Sequence, residues 1–322
     1  MARTGVLLQG YGGPKTVADV GPFMLNLMGR VPSPELLARI ESHYEAIGGG
    51  SPLLEIAESI AVALEERLTA RGLDVPVRVG MRYWEPYLAD TVAELVALDC
   101  DRIVALSLSA FESEIATGAY RKAIAPVLAE HPCVHVVEAP LAAVHDAYAE
   151  FFARSVTEAF EHVPTGAIVA FSAHSLPLSD LVADDPYVSG IEDTARKVAQ
   201  LLGLSAAFDT AGARFGEQFA TVGSDDGPHP WYLVYQSKGA RPGDWLGPEL
   251  DVLLEGAAKV GEPGVVVCPI GFMTDHMETL WDLDIVAKKR AAELGIPFVR
   301  AAVPNADGAF LDVLADSVAS LV

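Results

Sequence analysis

Apolar positions follow two rhythms along the chain. Short continuous apolar runs over residues 5–9, 77–79, 103–108 and 134–137 recur as a second set over 167–170, 231–235, 265–270 and 297–300. Runs this short, bounded by glycine, proline or small polar residues, predict strands buried on both faces. Between them, apolar residues return every three or four positions, predicting helices over 17–28, 34–47, 87–98, 115–129, 144–162, 190–202, 248–257 and 275–294. One further helix is well signposted. Leu53, Ile56, Ile60, Leu64 and Leu68 form its stripe, Ser51 is its N-cap, Pro52 its first helical residue, and Arg71-Gly72 its end. Its entrance, Gly48-Gly-Gly-Ser-Pro52, fits two readings: an anion site built from free backbone N–H groups, or a packing turn.

Alternating strands and helices define an α/β fold of two similar units, each a parallel sheet flanked by helices. The expected domains are residues 1–145 and 146–304. A final helix over about 305–322, marked by Phe310, Leu311, Val313, Leu314 and Val318, packs back on the first. Residues 210–230 read as a longer surface excursion. No internal repeat is visible.

The length of 322 residues allows each unit its own core, and 51% hydrophobic with 20% charged residues is a globular composition. No apolar run is long enough to cross a membrane, and Met1-Ala-Arg-Thr leads directly into a strand, so a cytoplasmic protein is expected. The three cysteines, Cys100, Cys133 and Cys268, lie among apolar residues and are expected as reduced core thiols. A net charge of −22 argues against a nucleic-acid partner. An anionic ligand must therefore be met by local donors, for which Arg30, Arg121, Lys122, Lys238 and Arg241 are candidates.

Candidate chemistry gathers at strand ends. The run 167–170 passes into Phe171-Ser-Ala-His-Ser-Leu-Pro177, which delivers His174 to the C-terminal rim of a sheet, where ligand crevices form. About a hundred residues on, the run 265–270 leads into Gly271-Phe-Met-Thr-Asp-His-Met-Glu-Thr-Leu-Trp-Asp-Leu-Asp284. With Thr274 as cap, Asp275, Glu278 and Asp282 at i, i+3 and i+7 share one helical face. Such a stripe is either a metal path or a solvated helix face. The first strand ends in Gly10-Tyr-Gly-Gly-Pro14, whose glycine spacing does not fit a dinucleotide fingerprint and which places Tyr11 at a loop tip.

These blocks resemble the ferrochelatase family. Phe171–Pro177 resembles its signature, joined in order by Tyr44-Glu-Ala-Ile-Gly-Gly-Gly-Ser-Pro52, Gly80-Met-Arg-Tyr83, Tyr235-Gln-Ser237 with Trp245-Leu-Gly-Pro248, Asp275-His-Met-Glu-Thr-Leu280 and Pro304-Asn-Ala306. The resemblance covers essentially the whole chain. It implies a chelatase fold of two Rossmann-like domains, with a tetrapyrrole held between them. The implied reaction inserts Fe2+, a substrate, into a porphyrin, with loss of two pyrrole protons and no consumed cofactor. Gly10–Pro14 looks like the branch acting on coproporphyrin III, in which Tyr11 approaches the metal, giving coprohaem in haem biosynthesis.

By the same resemblance, His174 and Glu278 are catalytic, and metal contacts fall to His174, Glu278, Tyr11, Asp275 and Asp282. Arg30, His43, Tyr44, Ser51 and Tyr120 match propionate-binding positions. The chain departs from the family's pattern at His43, often a basic residue, in the shortened segment Asn26–Arg30, and at Ala110, elsewhere histidine. With three cysteines and none near the C-terminus, no iron–sulfur cluster is expected. The expected state is a monomer making transient contact with the next haem-pathway enzyme.

The residue types suit this chemistry on their own terms. Neutral imidazole accepts protons near pH 7 and binds iron, while carboxylates strip water from a hydrated cation. Alternative readings are a protoporphyrin IX ferrochelatase, another tetrapyrrole metal chelatase, and a non-catalytic haem or porphyrin carrier.

Overall fold

A computed structural model of the protein describes residues 3–204, 223–224 and 229–322. The chain divides into two compact units. One comprises Met1–Ala147, Met273–Met277 and Pro304–Val322, the other Tyr148–Phe272 and Glu278–Val303.

In the first unit, β1 (Arg3–Gly10) is followed by helices α1 (Val20–Met28), α2 (Pro34–Ala46) and α3 (Leu53–Ala70). Then come β2 (Val77–Met81), α4 (Leu88–Ala97), β3 (Cys100–Ser107), α5 (Thr117–Glu130) and β4 (His135–Glu138). The strands are parallel, in the order β2-β1-β3-β4. Val6, Leu7 and Leu8 of β1 are completely buried, as a central strand covered on both faces requires. Each fully buried side chain of this size contributes roughly 1.5–3 kcal/mol. Leu7 packs with Leu88, Val92 and Leu95 of α4 and with Tyr120 and Ile124 of α5.

Helix α6 (Asp146–Phe160) leads into β5 (Ile168–His174), α7 (Pro186–Leu201), β6 (Gly223–Ser224), β7 (Trp231–Gln236), α8 (Leu250–Val260) and β8 (Val265–Cys268). A short α9 (Met277–Leu280), a π-helical turn over Asp282–Ala287, α10 (Lys288–Glu293) and β9 (Phe298–Arg300) complete the order before α11 (Gly308–Ala319). The second sheet runs β6-β7-β5-β8-β9, parallel except for β6, which pairs antiparallel with β7. That antiparallel edge departs from the all-parallel expectation. The rest of the anticipated 210–230 excursion lies outside the described residues, apart from 229–230.

In each sheet the chain moves from a central strand to one side and then jumps to the other. The crevices created by such switches lie outside the carboxyl ends of β1 and β3 in one unit, and of β5 and β8 in the other. Tyr11 and His174 occupy those ends. Within the first unit, α11 docks on α3 through Arg67–Asp312 at 2.8 Å and Arg71–Asp316 at 2.7 Å. A groove of about 750 Å³ between α3 and the β2 edge, lined by Glu58, Val62, Glu65, Val79 and Glu94, holds none of the candidate chemistry residues. Cys100 and Cys268 are buried, but Cys133 is exposed: the turn ahead of β4 carries it to the surface, against the expectation of a core thiol. Among the described residues no helix is long and apolar enough to cross a membrane.

Candidate active site

Strand β5 delivers His174 to the rim because the residues before it, from Ile168 to Ala173, are wholly buried between β7 and β8. The turn after β8 closes on this strand end. Gly271 N–H donates to Ser172 O at 3.1 Å, and a Cβ at Gly271 would lie 2.7 Å from Ala173 Cα. Only glycine permits that approach. The Tyr187 hydroxyl of α7 donates to His174 O at 2.8 Å, fixing the main chain from another side.

His174 Nδ1 stands 2.9 Å from Glu278 Oε2, with both side chains about one-third exposed at 32%. The contact is an ion pair whenever the imidazole is protonated. Burial works to lower the His174 pKa, but the Glu278 carboxylate, helped by Asp282, outweighs it and holds the imidazole above its ordinary value. Asp282 is pushed up to about 6, chiefly by burial and then by Glu278, against the opposing hydrogen bond from Ser237 and the His174 charge. The Ser237 hydroxyl donates to Asp282 Oδ2 from a backbone with φ of 59°, a left-handed conformation uncommon outside glycine. Gln236 links strand to helix: Ser172 Oγ donates to its Oε1 at 2.7 Å, and its Nε2 donates to Glu278 O at 2.8 Å. Ser172 and Gln236 are buried, so these bonds form in low dielectric and hold Glu278 in register with β5.

The stripe of three carboxylates needs correction. The helix begins at Met277 rather than Asp275, and Thr274, the expected cap, is buried. Asn305 captures Asp275 instead, its Oδ1 accepting from Asp275 N at 2.8 Å and its Nδ2 donating to Asp275 Oδ2 at 2.7 Å. Beyond Leu280 the helix widens, with Val286 N–H donating to Trp281 O at 2.9 Å, an i to i+5 bond. Such π turns concentrate at functional sites. Glu278 and Asp282 therefore act on His174, while Asp275 belongs with the first unit. Among the described residues, no three His, Cys, Asp or Glu side chains form a cage for a resident metal ion.

In the first unit, Tyr11 is 42% exposed at the tip after β1, its ring 4.8 Å from that of Tyr83. The loop beneath it interlocks with the start of α3. Ser51 N–H donates to Pro14 O at 2.8 Å, and a Cβ on Gly50 would lie 2.0 Å from Lys15 O. Close packing thus explains Gly50, whereas Gly48 and Gly49, with open space around them, are required by backbone φ of 115° and 99°. Ser51 Oγ accepts from Leu53 N at 3.3 Å, the bond expected of an N-cap, although regular helix starts at Leu53.

Arg30 is exposed beyond α1, and His43 is half-buried, held below its ordinary pKa by burial and then by Arg39. Tyr44 packs with Val20, Phe23 and Met24. Tyr120 is only 1% exposed and its hydroxyl is pushed up to about 12 by burial, resting 3.2 Å from Ser109 Oγ. Both tyrosines are buried on the apolar faces of their helices. Gln236, Ser237 and Gly271 escaped the sequence reading as site residues. Their signal was the intact block Tyr235-Gln-Ser237 and a glycine directly after a buried strand.

The chain thus holds two α/β units on mainly parallel sheets, with a histidine–carboxylate pair at a strand end of the second. Among solved structures, the fold is similar to SirB from Bacillus subtilis with Fe3+, at TM-score 0.56 and 13% identity, covering 99% of this chain and 95% of that one. It is also similar to CbiX, the terminal enzyme of sirohaem biosynthesis in denitrifying bacteria, at TM-score 0.53 and 11% identity, covering 99% of each chain. The sequence model of the ferrochelatase family matches residues 3–321, and the chain belongs to that family of metal-chelating enzymes. Relatives include a coproporphyrin III ferrochelatase of Streptomyces coelicolor, 35% identical over 97% of this chain and 84% of that protein. Another of the same description, from Leifsonia xyli, is 32% identical over 99% and 84%. A ferrochelatase of Herpetosiphon aurantiacus is 32% identical over 97% of each.

Proposed function

We propose that this chain inserts Fe2+ into coproporphyrin III, releasing two protons, without a consumed cofactor or an iron–sulfur cluster. The observation that carries the mechanism is the 2.9 Å approach of Glu278 to His174 Nδ1 at the end of β5. It leaves Nε2 of the imidazole for the substrate. Neutral His174 takes a pyrrole proton, and the Glu278 carboxylate stabilises the imidazolium that results. Asp282, ionised above about pH 6, supplies a further oxygen for arriving iron and an outlet for protons. Tyr11 contributes a phenol oxygen to the iron of the product.

Two features support coproporphyrin III as the porphyrin: Tyr11 at its loop tip, and relatives whose descriptions specify that substrate. Of the propionate candidates, Arg30, His43 and Ser51 keep surface for a carboxylate. Asp275, engaged by Asn305, takes no part in the proposed path. The test is anaerobic turnover of Fe2+ with coproporphyrin III and protoporphyrin IX in parallel, followed by absorbance. Faster metallation of coproporphyrin III is expected, and preference for protoporphyrin IX would overturn the substrate. Binding without turnover of either would indicate a carrier.

A further inference from the structure

The π-helical turn over Asp282–Ala287 is held from two directions. On one side the Ser237 hydroxyl, just past the end of β7, donates to Asp282 Oδ2. On the other, Arg300, the last residue of β9, sets its guanidinium fork on Asp284, Nε donating to Oδ1 at 2.7 Å and Nη2 to Oδ2 at 2.8 Å. Residues two apart on a helix do not face each other, so Asp282 and Asp284 leave the turn on different sides. The strand order β7-β5-β8-β9 puts the two anchors on opposite flanks of β5, which delivers His174, and β8, which leads to the turn. Between them, Leu283 and Ala287 are buried in one cluster with Val265, Val267 and Ile296.

Arg241 makes the same fork with Asp180, but its side chain is 60% exposed and solvent weakens the pair, whereas the Arg300 side chain is only 13% exposed. Withdrawing a guanidinium and a carboxylate from water costs about what their attraction returns, and apolar residues of similar volume would hold the fold as well. What two parallel hydrogen bonds add is direction. They fix where the Asp284 carboxylate sits, and with it the turn. The strand from which Arg300 reaches is itself tied down, Ala301 N–H donating to Val267 O at 2.8 Å. Glu278 has a separate anchor in the Gln236 Nε2 bond to its carbonyl, so Arg300 bears on Asp282 rather than on the His174–Glu278 pair.

We propose that Arg300 is a positioning residue for iron uptake: through Asp284 it fixes the π-helical turn so that Asp282 is presented to the arriving Fe2+. This rests on the iron-inserting reading above. Arg300 acts through the turn, not on the reacting atoms.

The test measures anaerobic insertion by the full-length chain at varied Fe2+ and fixed coproporphyrin III, for wild type, Arg300→Leu and the double variant Arg300→Leu/Asp284→Leu. The single variant deprives the Asp284 carboxylate of its fork and should lower Tm as well as iron affinity. The double variant removes both charges, so its Tm should return to the wild-type value. Its KM for Fe2+ should nevertheless stay about tenfold above wild type, the loss that follows when a ligand's support is removed. At saturating Fe2+ its kcat should lie within about twofold of wild type, as should porphyrin Kd. In an Asp282→Asn background the double substitution should add nothing further. Recovery of KM together with Tm would reduce the pair to a structural link and overturn the proposal. A matching fall in kcat and porphyrin affinity, or an undiminished effect without the Asp282 carboxylate, would also overturn it. If wild type metallates no porphyrin, the proposed reaction fails, and Fe2+ binding to the porphyrin-free chain by anaerobic calorimetry decides the role of Arg300. Weaker binding in the double variant would uphold that role, and equal or absent binding would overturn it.

Discussion

Gly271→Ala perturbs the site without touching any group that could carry charge or a proton. The new Cβ would lie 2.7 Å from Ala173 Cα, 2.8 Å from Ala173 Cβ and 3.5 Å from His174 N. Carbon atoms rest at about 3.5–4.0 Å, so the turn and the strand must separate by roughly 1 Å. Strand β5 cannot simply retreat, because β7 and β8 hold it in register on both sides. Overpacking of this kind costs about 1–3 kcal/mol, and each kcal/mol lowers Tm by roughly 2–4 °C for a unit of this size. Displacing His174 by that distance from its productive geometry should slow metal insertion by about a hundredfold. Porphyrin affinity should change far less. Thermal melting and anaerobic insertion kinetics on one preparation measure both effects. A variant with wild-type Tm and wild-type rate would refute the claim that this turn fixes His174.

Other perturbations address separate parts of the site. Gln236→Leu strands the Ser172 hydroxyl and the Glu278 carbonyl, and denaturant unfolding should show a loss of about 1–3 kcal/mol for each buried group left unpaired. Because Asp282 is pushed up to about 6, the wild-type KM for Fe2+ should rise as pH falls through that value, and Asp282→Asn should flatten the dependence. The same shift has a stability consequence. A carboxyl raised above its ordinary 3.8 contributes stability below that pH and loses it as pH rises through about 6, so Asp282→Asn should gain on wild type toward neutral pH in chemical unfolding. Tyr11→Phe should abolish the tyrosinate signature in the resonance Raman spectrum of the iron product, and an unchanged spectrum would remove Tyr11 from the metal.

The strands and helices were legible because burial on both faces writes a continuous apolar run, whereas one-sided burial writes a stripe. His174 was legible for the same reason, as a histidine directly after such a run. Glu278 and Asp282 were legible as charges on a helix, but their helix was not. Nothing local marks the π-helical turn or the capture of Asp275 by Asn305, thirty residues away in sequence. The Ser172–Gln236 and Gln236–Glu278 bonds span separations of 64 and 42 residues, and only the folded sheet brings those groups together. The antiparallel β6 was hidden similarly, since so short an edge strand carries no periodicity of its own.

The central claim is that His174, paired with Glu278, is the proton acceptor in insertion of iron. Single-turnover anaerobic insertion of Fe2+ into coproporphyrin III by His174→Ala, with porphyrin affinity measured on the same sample, tests it most directly. The variant should insert iron at a rate about 10²–10⁴-fold below wild type with porphyrin Kd changed by no more than about twofold, since one general base is lost from a site held by many other contacts. A wild-type rate, or binding lost in step with the rate, would contradict it.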